Sequence, residues 1–260
     1  MTNLDCLKDR EPRQTKITAR LNGQGGLLEE LRAVIPFVHP TTARVDLRRT
    51  VLEENVLRRP SLGSRVDVYE KLCVRYFPAQ APRTVFRFVK AISQEPDPVQ
   101  FGLLAYVMLL WNDALVCLLG CEWLAPRLIA LPYTAVTKDI EHELLRLSRT
   151  AQAIRRWTPG TRRKVAAHYL GLLRDCGYAT GRARKELRRP YIAPTTVWFG
   201  AQLVSIAGES NSPLPENPIF RAMGLTVSDV VEALEELRKQ GHFGFQAQGR
   251  ITHFVNAESD

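Results

Sequence analysis

The sequence of 260 residues predicts a mainly α-helical protein. We expect a multi-helix core, a basic helix-turn-helix-like unit, and a C-terminal winged-helix unit with a small β-hairpin. Three observations lead to this prediction. Apolar residues recur at helical spacing in segments that proline or glycine interrupts. Basic residues are concentrated in one stretch, and the C-terminal part has the pattern of a capped helix, a glycine and two alternating strands.

The chain divides into four predicted regions. They are a flexible tail (1–20), a helical N-terminal and core region (21–135), the basic unit (136–192) and the C-terminal winged-helix-like unit (193–260). A hydrophobic content of 45% and a charged content of 24% are ordinary for globular proteins. A chain of this length can therefore bury a sizeable core.

The N-terminal region predicts three short helices. The first spans Leu27 to Phe37, and the third begins at Ser61 or Ser64. The second, capped by Thr41 or Thr42, has an apolar side at Val45, Leu47, Val51, Leu52 and Leu57. The break before the third helix is a second candidate DNA contact, formed by Arg58, Arg59, Ser61, Ser64 and Arg65. The alternative is a solvated connection between two helices.

Two apolar segments follow. Residues 83–93 predict a helix whose buried side is Val85, Phe86, Val89 and Ile92. The segment 99–119 predicts one long apolar helix of nearly the length of a membrane span. It carries Asn112 and Asp113, and a central aspartate costs about 2.5–3.5 kcal/mol on membrane insertion. We therefore favour a buried core helix over the alternative of a membrane segment.

The basic stretch, Ser148 to Pro190, has twelve Lys/Arg residues against Asp175 and Glu186. Its net charge of +10 exceeds the +9 of the whole chain, so the surplus is local. A local surplus of this kind is typical of a polyanion-binding surface. The interaction would be made mainly with phosphates and would weaken with salt.

A helix over residues 161–176, capped by Thr161, would organise this surface. Its inner stripe is Val165, Tyr169, Leu172, Leu173 and Cys176, and its outer side is Arg163, Lys164, Ala167, His168, Gly171 and Arg174. A floor of small residues with cationic edges suits the major groove of DNA. Residues 181–190 would follow as a wing or arm along the DNA backbone. The candidate DNA-binding residues are Arg155, Arg156, Thr161, Arg162, Arg163, Lys164, His168, Arg174, Arg182, Arg184, Lys185, Arg188 and Arg189.

Other partners for this surface remain open. It could bind RNA or acidic partner subunits, as a scaffold protein would, or it could be a solvated face without a ligand. Aromatic residues interleaved with the basic ones, which single-strand binding requires, are scarce in this stretch. Their scarcity favours double-stranded DNA.

The C-terminal region predicts a helix over Thr195–Ala207, a loop over Gly208–Pro218, and a second helix capped by Thr226. The second helix has a buried stripe of Val227, Val230, Val231, Leu234 and Leu237. Gly241 ends it, and residues 242–247 and 250–255 predict a hairpin. Because the helix over 226–240 has a net charge of −2, we expect it to pack on the protein or on a partner and not on DNA.

No catalytic or metal-binding pattern is present in the sequence. The five histidines are scattered, and the five cysteines contain no C-x-x-C pair. We expect a non-enzymatic protein without a cofactor. Widely spaced cysteines also favour reduced, mostly buried thiols in a cytoplasmic protein.

Short motifs in the chain resemble those of the BrxA family of bacteriophage-exclusion (BREX) defence systems. The resemblance rests on Val51–Leu57, Ser64-Arg65 before Arg75, Gly25-Gly26-Leu27, Leu110-Trp111 and Thr195–Trp198. It spans about residues 17–255. It implies a small, mostly helical, non-enzymatic DNA-binding component that works with other phage-defence proteins.

Overall fold

A pair of apolar helices lies at the centre of the fold, and the other helices pack around it. The computed structural model describes residues 16–22, 25–38, 44–206, 214–241, 243–248 and 251–256. Within these residues the buried apolar side chains form one hydrophobic cluster, whose members range in sequence from Leu21 to Leu237. The mainly helical prediction is confirmed.

The helices and strands follow one another in this order. The N-terminal half contains a 3₁₀ turn Arg20–Asn22, α1 Leu28–Val34, a 3₁₀ turn Ile35–Phe37, α2 Arg44–Glu53, α3 Leu62–Tyr76, α4 Pro82–Ser93 and α5 Pro98–Asn112. Then come α6 Ala114–Leu119, a π-helical turn Gly120–Leu124, α7 Ala125–Ile129, β1 Thr134–Ala135, α8 Thr137–Leu147, α9 Gln152–Arg155 and α10 Pro159–Asp175. The C-terminal part contains β2 Ala179–Thr180, β3 Lys185–Leu187, α11 Pro194–Ile206, a 3₁₀ turn Leu214–Glu216, α12 Pro218–Ala222, α13 Val227–Lys239, β4 Phe243–Gln248 and β5 Ile251–Asn256.

The predicted single helix over residues 99–119 is wrong, because the chain turns sharply at Asp113. Helix α5 ends at Asn112, and the helical segment from Ala114 to Ile129 leaves at an angle of 108°. The Asp113 carboxylate accepts hydrogen bonds from the backbone N–H groups of Leu115 (2.9 Å) and Val116 (3.3 Å) and so caps α6. An aspartate that caps a helix starts a new one, and this use of its side chain explains its place in an apolar segment.

The two halves of this apolar segment are almost fully buried in the protein, as predicted. Within the described residues, no individual helix has the length and apolar character to cross a membrane. The bent pair of Pro98–Asn112 and Ala114–Ile129 meets the criterion only when its halves are counted together. The close packing needs small residues: a Cβ atom at Gly120 would lie 2.7 Å from the Cβ of Ala222 in α12.

Most of the predicted helices form, but some of their buried sides differ. In α4, Phe88 is buried and Phe86 is exposed, because Phe88 stacks on Tyr76 at 5.7 Å between ring centroids. In α8, Leu145 is exposed although it is apolar, and Glu143 is buried although it is charged. The Glu143 carboxylate pairs with Arg146 at 2.5 Å, which allows a charged residue to take an inner position.

The C-terminal segment follows the predicted order of capped helix, glycine and hairpin. Thr226 and Asp229 form a reciprocal capping box at the start of α13, and Gly241 has a φ of +79°. Val230, Leu234 and Leu237 are buried, but Val227 is exposed because it occupies the first turn. Strands β4 and β5 pair antiparallel, with Phe243 opposite Asn256 and Gln248 opposite Ile251. Helix α13 packs against α11.

Several predictions fall outside the described residues. They concern the tail up to residue 15, the cap at Thr41 or Thr42, residues 208–213 of the predicted loop Gly208–Pro218, and the hairpin turn at Gly249. Of the five cysteines, Cys73, Cys117, Cys121 and Cys176 are buried, as predicted.

We predict different effects for two replacements of Asp113. Burial raises the pKa of this carboxyl above its ordinary value, so the folded protein binds a proton here more tightly than the unfolded chain. The wild type therefore loses stability as the pH rises through the raised pKa. Asp113→Asn keeps an amide cap without the buried charge and should weaken this pH dependence. Asp113→Ala loses the cap and should be about 1 kcal/mol less stable than Asp113→Asn.

Urea denaturation of the three proteins between pH 4 and 8 measures both effects. Equal stability of the alanine and asparagine variants would contradict the capping role of Asp113. An unchanged pH profile in Asp113→Asn would contradict the effect of its buried charge.

Candidate nucleic-acid interface

Helix α10 carries the predicted basic surface and is held on its inner side by the core. Val165, Tyr169, Leu172, Leu173 and Cys176 are all buried, as the periodicity predicts. The helix packs against α8 and against the N-terminal 3₁₀ turn. The predicted cap at Thr161 is wrong, because the helix begins earlier, at Pro159. The cap is Thr158, whose hydroxyl accepts a hydrogen bond from the Thr161 N–H (3.1 Å).

The outer side of α10 is cationic and open. Arg163 and Lys164 are exposed, and the side chain of Arg163 is 77% exposed at 3.6 Å from Glu141 of α8. Ala167 is exposed, and a Cβ atom added at Gly171 would have no neighbour within 4 Å. This strip of small residues between cations leaves room for a partner to approach the helix backbone.

A short antiparallel sheet places further arginines beside α10. The strand order is β1-β3-β2: Thr134 of β1 and Thr180 of β2 both lie opposite Glu186 in the central strand β3. The turn between β2 and β3 begins at Gly181, which has a φ of +91°. A Cβ atom there would lie 2.4 Å from the carbonyl oxygen of Arg184, so the turn requires glycine. Arg182 and Arg184 are exposed at its tip.

The thirteen candidate residues therefore fall into three groups. The exposed ones are Arg155, Arg156, Arg163, Lys164, Arg174, Arg182, Arg184, Arg188 and Arg189. The half-buried ones are Thr161, Arg162 and His168. Only Lys185 is buried, at 7% exposure.

Lys185 has a structural contact that its sequence position did not indicate. Its ammonium donates to the carbonyl oxygen of Arg182 (2.5 Å) and so braces the turn between β2 and β3. Burial, together with the positive charge of Arg174, lowers the pKa of Lys185. The prediction of Lys185 as a surface cation is therefore wrong. Alternate residues of a strand face opposite sides, and Lys185 is on the inward side of β3.

Neighbouring groups also affect three other candidate side chains, through hydrogen bonds or through the pKa. Arg162 donates to the carbonyl oxygen of Trp157 (2.5 Å), and Arg188 donates through Nε to that of Gly177 (2.9 Å). Partial burial lowers the pKa of His168, and the charges of Arg75, Lys164 and Lys71 lower it further. The imidazole of His168 is therefore mostly neutral at pH 7 and offers hydrogen bonds more than charge.

The second candidate contact, at the connection between α2 and α3, is mostly occupied by internal bonds. Arg65 donates to the carbonyl oxygens of Leu52 (2.6 Å) and Arg59 (3.3 Å). Arg59 forms an ion pair with Glu30. Ser61 caps α3, accepting from the Ser64 N–H at 3.2 Å. These polar groups thus close a tight turn in a connection that is largely exposed, and a nucleic-acid contact there stays a prediction.

Arg58 is the exception within that connection. It is exposed and adopts a left-handed backbone with a φ of +49°. In the described part of the chain, its side chain forms no hydrogen bond or ion pair that would hold it against the protein. A single exposed arginine is a weaker basis for a nucleic-acid contact than the surface on α10.

One exposed aromatic residue was missed by the sequence analysis. Tyr191 follows the basic arm and is 73% exposed, against 43% for Phe86 and 38% for Phe37. A single tyrosine after Arg188, Arg189 and Pro190 has no periodicity that would distinguish an exposed ring from a buried one. Its exposure became visible only in the folded chain.

A cleft of about 570 Å³ borders the inner end of the α10 surface at His168 and Arg174. Its opposite wall is α1, where Arg32 lies 4.3 Å above the ring of Phe101. Arg174 pairs with Asp175 at 2.7 Å, so its charge is partly neutralised at the rim. Among the residues that the structure describes, no group of three or more His, Cys, Asp or Glu side chains could hold a metal ion.

Comparison with known protein families places the chain in a family. The family model described as BrxA matches residues 16–199, which is more than two thirds of the chain. The match includes α10 and the β2–β3 turn and ends within α11, so α13 and the C-terminal hairpin lie outside it. No curated protein matches the chain.

The two arginines of the α2–α3 connection should differ in their effect on stability. Arg65→Ala should lower the free energy of unfolding by about 1–3 kcal/mol, because two carbonyl groups lose a charged donor. Arg58→Ala removes the same charge from an exposed side chain and should change it by less than about 0.5 kcal/mol. Urea denaturation of both variants makes the comparison. A loss in Arg58→Ala as large as that in Arg65→Ala would contradict the structural role of Arg65.

Proposed function

The chain belongs to the BrxA family and so to the components of bacteriophage-exclusion (BREX) defence systems. From this premise we propose that it is a non-enzymatic accessory protein that binds double-stranded DNA, mainly through phosphate contacts. It would act in the cytoplasm, where DNA and the other defence proteins are present.

The outward side of α10 is the single observation that carries this proposal. It combines Arg163 and Lys164 at its edges with Ala167 and Gly171 between them. An α-helix fits the major groove of B-DNA, and small side chains let its backbone come close to the bases. Cations along the edges then meet the phosphates on either side and fix the position of the helix.

The elements around α10 support a more specific proposal, a winged helix-turn-helix unit within residues 134–187. Strand β1 precedes α8, α10 is the last helix, and β2 and β3 form a hairpin directly after it. The first strand pairs with the third, as the order β1-β3-β2 shows. In such units the last helix enters the major groove and the hairpin is the wing. Arg182 and Arg184, at the tip, would contact the adjacent backbone.

The C-terminal helix and hairpin suggest a different role. Helix α13 has a net charge of −2, with Asp229, Glu232, Glu235 and Glu236 against Arg238 and Lys239. Phosphates would repel it, and its inner side already packs against α11. We propose that this second winged-helix-like unit docks other defence proteins, because the same fold serves both kinds of partner.

Duplex binding should depend steeply on salt. With about 5–8 phosphates neutralised, the logarithm of the binding constant should fall with the logarithm of salt concentration at a slope of about −4.5 to −7. Arg163→Gln/Lys164→Gln should weaken binding to every sequence and make the slope shallower by about 1.8. Fluorescence anisotropy with a random-sequence duplex at several salt concentrations measures both quantities.

The matched control is Arg238→Gln/Lys239→Gln, which removes the same charge from the acidic helix α13. It should leave the affinity and the slope unchanged. No binding of the wild type at low salt would contradict the DNA proposal and favour RNA or an acidic protein partner. A larger loss in Arg58→Gln than in the α10 variant would place the main surface at the α2–α3 connection.

A bulky residue at position 171 tests whether α10 enters a groove. Because a side chain at Gly171 meets nothing within 4 Å, Gly171→Leu should fold and gain stability from its higher helix propensity. If the helix lies in the major groove, duplex affinity should fall by about tenfold or more through steric overlap, without a change in salt slope. Unchanged affinity would show that the helix lies along the phosphates outside the groove.

A further inference from the structure

Tyr191 is presented outward by a backbone that is fixed on both sides. The buried amide of Gln100 in α5 donates to the Tyr191 carbonyl oxygen (2.8 Å) and accepts from the Ala193 N–H (3.0 Å). The same amide oxygen accepts from the Thr196 hydroxyl at 3.3 Å. Between them, Ile192 packs against the core. The backbone of Tyr191 is thus held in place, while its ring is 73% exposed.

The surroundings of this ring are basic. Arg188 and Arg189 precede it and are exposed, and Arg188 is bound to the Gly177 carbonyl just beyond α10. A Cβ atom at Gly177 would lie 3.8 Å from Pro190, so the segment before Tyr191 lies against the end of α10. The nearest acid along α10, Asp175, is paired with Arg174 at 2.7 Å. The ring thus lies beside exposed arginines, on a segment that packs against the C-terminal end of α10.

An exposed aromatic ring on an ordered backbone, beside cations, is an arrangement that can bind an unpaired nucleobase. Bases stack on aromatic side chains whatever their identity, while neighbouring cations hold the strand. Because the backbone of Tyr191 is already ordered, little conformational entropy is lost when a base stacks on it. An intact duplex offers no free base face except at its end.

We propose that Tyr191 is a stacking platform for an unpaired base next to the duplex bound by α10. This inference rests on the proposed function and specifies its substrate: DNA with a junction between double and single strand. The duplex part would be held by α10 and the wing, and the first unpaired base by the ring of Tyr191.

Binding to two DNA probes tests this inference. One is a blunt duplex, and the other is the same duplex with a short single-stranded extension, prepared with either a 5′ or a 3′ end. The wild type should bind one extended form more tightly than the blunt duplex. Tyr191→Ala should lose about tenfold in affinity for that form and little for the blunt duplex. Tyr191→Phe keeps the ring and should keep the preference.

A spectroscopic measurement separates stacking from a general loss of affinity. With 2-aminopurine as the first unpaired base, binding of the wild type should quench its fluorescence, and binding of Tyr191→Ala at saturating protein should not. Since the side chain is mostly exposed, the alanine variant should also unfold at the wild-type temperature.

Two other exposed aromatic residues serve as comparisons. Phe37 lines a cleft together with Glu29, Glu30 and Glu54, so Phe37→Ala should change neither probe's binding. Phe86 of α4 lies between Arg83 and Lys90, both exposed. If Phe86→Ala removes the preference and Tyr191→Ala does not, the platform has been assigned to the wrong residue.

The remaining outcomes separate this inference from the proposed function. Tight binding of the blunt duplex without preference for either extension would overturn the stacking role and leave the duplex proposal intact. An equal loss for both probes in Tyr191→Ala would also overturn it. Failure of the wild type to bind any of these DNAs would overturn both.

Discussion

The buried guanidinium of Arg75, at the end of α3, is the interaction on which the arrangement of the N-terminal half depends. Arg75 is 3% exposed and donates to the carbonyl oxygens of Arg20 (3.0 Å) and Gly25. The neighbouring Tyr76 hydroxyl donates to the carbonyl of Gly26 (2.5 Å). Burial lowers the pKa of Arg75, but a guanidinium is so strong a base that it keeps its proton at neutral pH. A charge buried in this way must be satisfied by acceptors, and here the backbone before α1 supplies them at Arg20 and Gly25.

The segment held by Arg75 in turn determines which side of α10 is free. Its 3₁₀ turn packs against α10, and a Cβ atom at Gly26 would lie 2.8 Å from the side chain of Leu172. Helix α8 covers another part of the inner side. The inner side of α10 is therefore packed against the core, and its cations lie on a helix instead of on a loop. A rigid cationic surface loses less entropy on binding than a flexible arm, which matters when most of the contacts are with phosphates.

The interior shows how a strongly apolar segment is buried within the protein. Asp113 ends one apolar helix and caps the next, so two segments that only together reach the length and apolar composition of a membrane span meet at an angle of 108°. Their sides are then covered by α3, α4, α11 and α12. The two helix-and-hairpin units of the chain also differ in charge, since α10 is basic and α13 is acidic. Similar local structure thus leaves them suited to different partners.

The sequence by itself determined the helical class, the inner stripe of α10, the cap at Thr226, the C-terminal hairpin and the family resemblance, because these depend on local spacing and short motifs. Tertiary packing decided the rest. Phe88 is buried and Phe86 is exposed, although both are apolar residues of the same helix. Lys185 faces inward, and Arg59 and Arg65 form the contacts that close the α2–α3 connection. Tertiary packing also left Tyr191 exposed on a backbone anchored by Gln100, which lies 91 residues away in the sequence. Contacts between residues so distant in the chain leave no periodic pattern, so only the folded structure could reveal which polar and aromatic side chains remain free to bind.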